Sequence, residues 1–169
     1  KSADTGGMPT IRCNAGAAPD PIFQSATNGD RYRLIGLNCD VGNQPTGEVI
    51  YLVAHGGPGG NPANYFIADR CVIQNSNDED VRHAIQLGGT NSAVIDSSFY
   101  NIRQTVVRSE PHCILIGEST GPILVQNSYL EGYFCILIGG ISWTGTQQDI
   151  TILRNHFFSL ASWGDDNLQ

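Results

Sequence analysis

Apolar residues in this chain come in short bursts that alternate with polar ones, and the bursts recur. FIADRCVI (66–73), AVIDSSFY (93–100), ILVQNSYL (123–130) and ITILRNHF (150–157) start 27, 30 and 27 positions apart (93 − 66, 123 − 93, 150 − 123). Between them stand shorter segments closed by glycine: AIQLGG (84–89), CILIGE (113–118) and CILIGG (135–140). Short fixed words joined by loops of variable length, at a period in the twenties, are the mark of a solenoid.

Aligning the long segments by their starts gives columns. Phe66, Ala93, Ile123 and Ile150 form one, and Ala68, Ile95, Val125 and Ile152 a second, with mixed residues between. That alternation has period two and predicts strands with one face in a core. Cys71, Ser98, Ser128 and Asn155 follow, small and mostly polar. They suit a bend between sheets, where a stacked side chain hydrogen-bonds the backbone of the next coil. Ile73, Tyr100, Leu130 and Phe157 then return to the core.

No stretch carries a helical stripe, and 20 glycines and 8 prolines punctuate the chain. Strands that recur in one direction at this period cannot be hairpins, so they stack as parallel coils. Parallel crossovers are right-handed by default. The expectation is an all-β chain folded as a right-handed parallel β-helix.

The word CILIG, present at 113–117 and again at 135–139, is then one strand on two successive coils. Ile114 over Ile136 and Ile116 over Ile138, with Ile85 and Leu87, would fill the core. Cys113 and Cys135 would lie one strand spacing apart, a distance that allows a disulfide or a pair of stacked thiols. Alternation turns Leu115, Leu137 and Gln86 outward, an apolar ladder to be covered by a loop or by a partner.

Residues 1–30 are expected to be an irregular lead-in or cap, with PTIRCN and PIFQ as short strands, and 31–169 to form the coils. YRLIGLNC (32–39) and EVIYLV (48–53) read as strands of an earlier coil, and AHGGPGGNPAN (54–64) as an insertion between coils.

Composition narrows the function classes. The chain has 169 residues, 40% of them apolar and 15% charged, which suits a folded domain. Its formal net charge of −7 is a poor match to a phosphate backbone, so no nucleic-acid partner is expected. No apolar run is long enough for membrane insertion as a helix. Five cysteines lack the CxxC spacing of a zinc site.

Candidate chemistry is local. NIRQTVVRSEPH (101–112) brings Arg103, Arg108 and His112 into one loop, with Arg82 and His83 from the preceding coil beside it. An arginine base there would suit proton abstraction next to a uronate carboxylate; the competing reading is a solvated loop. In NSNDED (75–80), Asn77, Asp78 and Asp80 offer hard oxygen donors for calcium, without the register of an EF-hand. Otherwise no cofactor is expected. Asp69 and Asp96 would share a column and perturb one another. Tyr133 and Trp143 are the aromatic candidates for carbohydrate binding, alongside Phe134 and Trp163.

The words RYRLIGLN, DRCVIQNSNDEDVRHAIQL, GPILVQNSYLEG and DITILRNHFFSLASW resemble a group of bacterial right-handed β-helix repeat proteins with the pectate-lyase-like fold. The resemblance runs from about Met8 to Trp163. Its most specific pieces are GP-x-x-x-x-N-x-YLE (121–131) and RNHF-x-x-x-x-SW (154–163). It implies a secreted protein, extracellular or in the cell envelope, without an established activity. Members usually continue through further coils, whereas here the chain stops six residues after Trp163 (169 − 163), so a fragment or an end covered by a neighbour is expected.

Two functions follow. One is a non-catalytic module for structure, assembly or carbohydrate contact, self-associating through open coil ends or the Leu115/Leu137 face. The other is a polysaccharide lyase-like or other carbohydrate-active enzyme working in a groove along one sheet.

Overall fold

The computed structural model describes residues 6–13, 22–24, 30–41, 49–54, 64–78, 80–103, 111–119, 121–139 and 148–160. They form strands and no helix. β1 (Thr10–Cys13) and β2 (Phe23–Gln24) precede the triplet β3 (Arg33–Ile35), β4 (Asn38–Val41) and β5 (Val49–Ala54). A second triplet is β6 (Ile67–Asp69), β7 (Val72–Gln74) and β8 (Val81–Gly89); a third is β9 (Ser92–Ile95), β10 (Ser98–Ile102) and β11 (His112–Ser119). β12 (Ile123–Gln126), β13 (Tyr129–Gly132) and β14 (Phe134–Ile138) follow, then β15 (Ile150–Leu153) and β16 (His156–Ser159).

Each strand pairs in parallel with its counterpart on the neighbouring coil. The first sheet runs β1-β4-β7-β10-β13-β16, the second β14-β11-β8-β5-β2 and the third β15-β12-β9-β6-β3. The protein is a parallel β-solenoid with three sheets around one core. The two short strands expected before residue 31 extend the first and second sheets through the pairs β1–β4 and β2–β5. Each long sequence segment, read above as one unit with a bend, is two strands on two sheets.

The bend is always two residues long: Gly36–Leu37, Arg70–Cys71, Asp96–Ser97, Asn127–Ser128 and Arg154–Asn155. The first residue of each lies in the left-handed region, at φ 62, 52, 50, 54 and 55°. Asn and Asp tolerate that conformation better than most residues, whereas Arg70 and Arg154 adopt it at a steric cost. The second residue sends its side chain to the neighbouring coil. Cys71 N–H donates to Ser97 Oγ at 3.1 Å, Ser97 N–H to Ser128 Oγ at 3.2 Å, and Ser128 N–H to Asn155 Oδ1 at 2.9 Å. These bonds satisfy backbone donors that leave the sheets at a buried corner.

The core columns are Phe66, Ser92, Ile123, Ile150; Ala68, Val94, Val125, Ile152; and Ile73, Phe99, Leu130, Phe157. The third coil therefore sits one residue from the expected register: Ser92, Val94, Ser97 and Phe99 replace Ala93, Ile95, Ser98 and Tyr100. A shift of one residue exchanges the two faces of a strand. Val94 and Phe99 are accordingly buried, while Ala93, Ile95, Ser98 and Tyr100 are only half-buried. Ser92 occupies an inward position because its hydroxyl donates to Gly88 O at 3.2 Å and accepts Phe66 N–H at 3.4 Å.

In the second sheet the pairs Ile85↔Ile114↔Ile136 and Leu87↔Ile116↔Ile138 stand as expected. Each fully buried isoleucine contributes about 1.5–3 kcal/mol through its removal from water.

Gly121 closes the corner before β12. It has φ +74°, and a Cβ there would lie 2.5 Å from Asp149 Cβ, so only glycine fits beside the next coil. With Asn127 at the following corner, this gives the GP-x-x-x-x-N spacing a structural meaning.

Candidate functional site

The corner between the first and second sheets collects most of the candidate side chains. Tyr133 and Phe134 are consecutive, yet their N–H groups donate to Ile102 O at 3.0 Å and Pro111 O at 3.1 Å. Positions 103 and 112 are thus brought side by side, although they are nine apart in sequence (112 − 103). Arg103, His112 and Tyr133 share this corner. Arg108 and Trp143 lie outside the described residues, as does Trp163.

The side chains at the corner are committed to one another. Arg103 forms an ion pair with Asp78. Asn101, at φ 56°, donates through Nδ2 to Asp78 Oδ1 at 2.6 Å and to Asn75 O at 2.8 Å. His112 stacks on His83 at 5.3 Å between ring centroids and on Phe134 at 5.3 Å, and Tyr133 meets Phe134 edge-on at 4.7 Å.

Both histidines are buried, and their Nδ1 atoms are 3.3 Å apart. In the neutral pair one ring donates to the lone pair of the other. Burial, then the charge of His112, then Arg82 push the His83 pKa down to about 3. The pair is a stacked structural element, part of the column His83↔His112↔Phe134.

Of the calcium candidates, Asp78 is engaged by Arg103 and Asn101, and Asn77 Nδ2 donates to Val41 O at 3.4 Å. Among the described residues no group of three or more His, Cys, Asp or Glu side chains is close enough to hold a metal ion. Asp69 and Asp96 do not share a column: Asp69 lies opposite Ile95. The Arg33 and Arg70 guanidinium groups donate to Asp69 at 2.6 and 3.1 Å and hold its carboxyl below the usual carboxylate range, while Asp96 accepts from Asn127 Nδ2 at 2.6 Å. The one-residue register shift separates the two.

That shift also uncovers a row the sequence columns hid. Tyr100, Tyr129 and His156 stack along the outside of the first sheet, with centroids 5.3 and 5.2 Å apart. Tyr129 Oη donates to Glu131 Oε2 at 2.9 Å. Burial and then this bond push the Tyr129 pKa up to about 12. The rings cover one another's faces from coil to coil. The legible signal was Tyr100, the one residue with a polar tip in an otherwise apolar core column.

The Leu115/Leu137 ladder is covered within the chain at its earlier coils: Leu115 is 6% exposed, Gln86 is buried and Leu137 half-buried. A different apolar surface is open. β14, β15 and β16 carry Phe134, Ile138, Ile152, Leu153, Phe157 and Phe158, all exposed, with Phe157 at 51% and Ile138 at 45%. Ile138, Ile152 and Phe157 continue core columns that are buried on the coils before them.

No family model, no curated protein and no solved structure matches the chain. The class defined here is the parallel β-solenoid.

Proposed function

We propose that this β-solenoid is a non-catalytic structural module that assembles with a second copy through the outer face of β14, β15 and β16. The carrying observation is the exposure of the core columns at Ile138, Ile152 and Phe157. On the preceding coils these columns are closed by parallel pairing, and among the described residues no strand pairs with the outer edges of these three strands. Such an edge, apolar and rich in unpaired backbone groups, is a template for another strand layer.

The commitment of Arg103 to Asp78 and the burial of His112 favour this reading over lyase-like catalysis at the same corner. The resemblance to secreted bacterial right-handed β-helix repeat proteins supports an extracellular or envelope setting. Light scattering and sedimentation of the purified chain test the proposal. Association that is lost in the Ile152→Lys/Phe157→Lys variant supports it, and a monomer at all concentrations overturns it.

A second reading, carbohydrate contact, rests on the Tyr100–Tyr129–His156 row. Aromatic rings repeating at 5.3 and 5.2 Å along a sheet offer a row of contacts to an extended polymer. Calorimetry against neutral and uronate polysaccharides tests it: binding weakened by Tyr129→Ala supports the reading, and no binding removes it.

A further inference from the structure

We infer that Cys113 and Cys135 form a thiol–disulfide site that reversibly bridges two adjacent coils, with Cys135 as the sulfur that reacts first. The inference goes beyond the proposed assembly role and stands without it. The flanking pairs His112↔Phe134 and Ile114↔Ile136 put the two cysteines opposite one another on parallel strands. The Cys135 thiol donates to Leu130 O at 3.4 Å, on the strand that precedes its own.

Neighbouring strands lie about 4.8 Å apart, inside the Cα separation that a disulfide spans. The Cβ atoms of an in-register pair sit just beyond the usual disulfide range of about 3.5–4.5 Å. Closure therefore draws the two strands slightly together and carries some strain, which favours a bond that is easily reduced.

The two sulfurs differ in the way an attacking and a resolving thiol should. Cys113 is fully buried, and Gly132 makes room for it: a Cβ on Gly132 would lie 2.7 Å from Cys113 Sγ. Cys135 is half-buried, on the strand whose outer edge is open. The neighbouring Cys113 thiol lowers the Cys135 pKa, whereas burial raises that of Cys113. Cys39 and Cys71 are both buried, and burial raises both.

With a small disulfide such as oxidised glutathione, the Cys135 thiolate attacks one sulfur. The old S–S bond breaks, and one glutathione thiolate leaves. Cys113 then gives up its proton to that thiolate, and its sulfur attacks Cys135 Sγ and displaces the second glutathione as a thiolate, which takes from water the proton that Cys135 released on ionising. Two protein thiols are oxidised by two electrons, and one glutathione disulfide becomes two thiols.

The test is peptide mapping of the native chain after timed alkylation, and again after oxidised glutathione. Alkylation of Cys135 at least about tenfold faster than of Cys39 or Cys71, with a mapped Cys113–Cys135 disulfide that reduced glutathione reopens, is the expected result; the rate gain follows the larger thiolate fraction. Cys113→Ala should trap a stable glutathione adduct on Cys135. Equal alkylation rates, or a wild-type adduct on Cys135 that never closes onto Cys113, would overturn the inference; both are read on the wild-type chain and do not depend on the variant folding.

Discussion

Ser97 and Ser128 sit on successive coils, and the backbone N–H of the first donates to the hydroxyl of the second at 3.2 Å. Ser128 also donates its own hydroxyl to Gln126 O at 2.9 Å. The side chain thus serves two coils at once, inside a corner that excludes water. Replacing Ser128 with Ala would leave the Ser97 N–H unpaired, at a cost of about 1–3 kcal/mol. Asn155→Ala should cost less, since its corner is only half-buried. Urea unfolding of the two variants checks the order.

Column position alone does not set the worth of a core residue. Ile116 and Ile138 are direct partners, but Ile116 is fully buried and Ile138 is 45% exposed. Ile116→Val and Ile138→Val make the same chemical change. The first should cost about 0.5–1.5 kcal/mol and the second a small fraction of that. Ile114→Ala, which empties a fully buried site, should cost about 2–5 kcal/mol. Equal losses at positions 116 and 138 would mean that the last coil is covered in solution.

These two cases show what could be read from the sequence. The second-sheet columns were legible because CILIG occurs twice and fixes its own register. The third coil was not, because Ala93, Val94 and Ile95 are all apolar and support either face. Ser92 decides the register, through hydrogen bonds to Gly88 and Phe66 that no hydropathy pattern encodes. The corners were half legible. Asn127 and Asp96 signal a left-handed residue, while Arg70 and Arg154 at the same position do not. Of the candidate site, the grouping of Arg103 and His112 in one loop was legible, while Tyr133 was named apart from them as an aromatic candidate. Their commitments were not, since the Asp78 partner and the His83–His112 stack depend on how distant coils align.

Gly132 and Cys113 should be energetically coupled. Gly132→Ala places a methyl 2.7 Å from Cys113 Sγ and 3.0 Å from Ile102 O, and overpacking of this kind costs about 1–3 kcal/mol. Cys113→Ala removes the sulfur, so the double variant should be less destabilised than the sum of the two changes. A cycle of thermal or urea unfolding measurements gives the coupling, expected at about 0.5 kcal/mol or more.

Acidification should weaken the fold through His83. Its pKa is about 3 when folded, against 6.5 for the unperturbed group, so below pH 6.5 the unfolded chain takes up a proton that the folded one refuses. The stability from the neutral ring is complete above that value and is lost as pH falls from about 6.5 toward 3. The slope approaches about 1.4 kcal/mol per pH unit. His83→Phe copies the aromatic found in this column at Phe134 and should flatten the slope; unfolding midpoints across the interval provide the check. Asp69 acts lower on the scale, because Arg33 and Arg70 keep it ionised below its ordinary 3.8.

The two-residue bend between the third and first sheets has a consequence for how such a chain can change. Five times the turn is the same length, so that seam works as a ruler that sets the pitch of the whole winding. The opposite seam is elastic, with one residue between β13 and β14 but nine between β10 and β11 (133, against 103–111). Insertions grafted along the elastic seam leave the ruler unmarked, whereas a single deletion at the ruler turns the strand that follows it inside out.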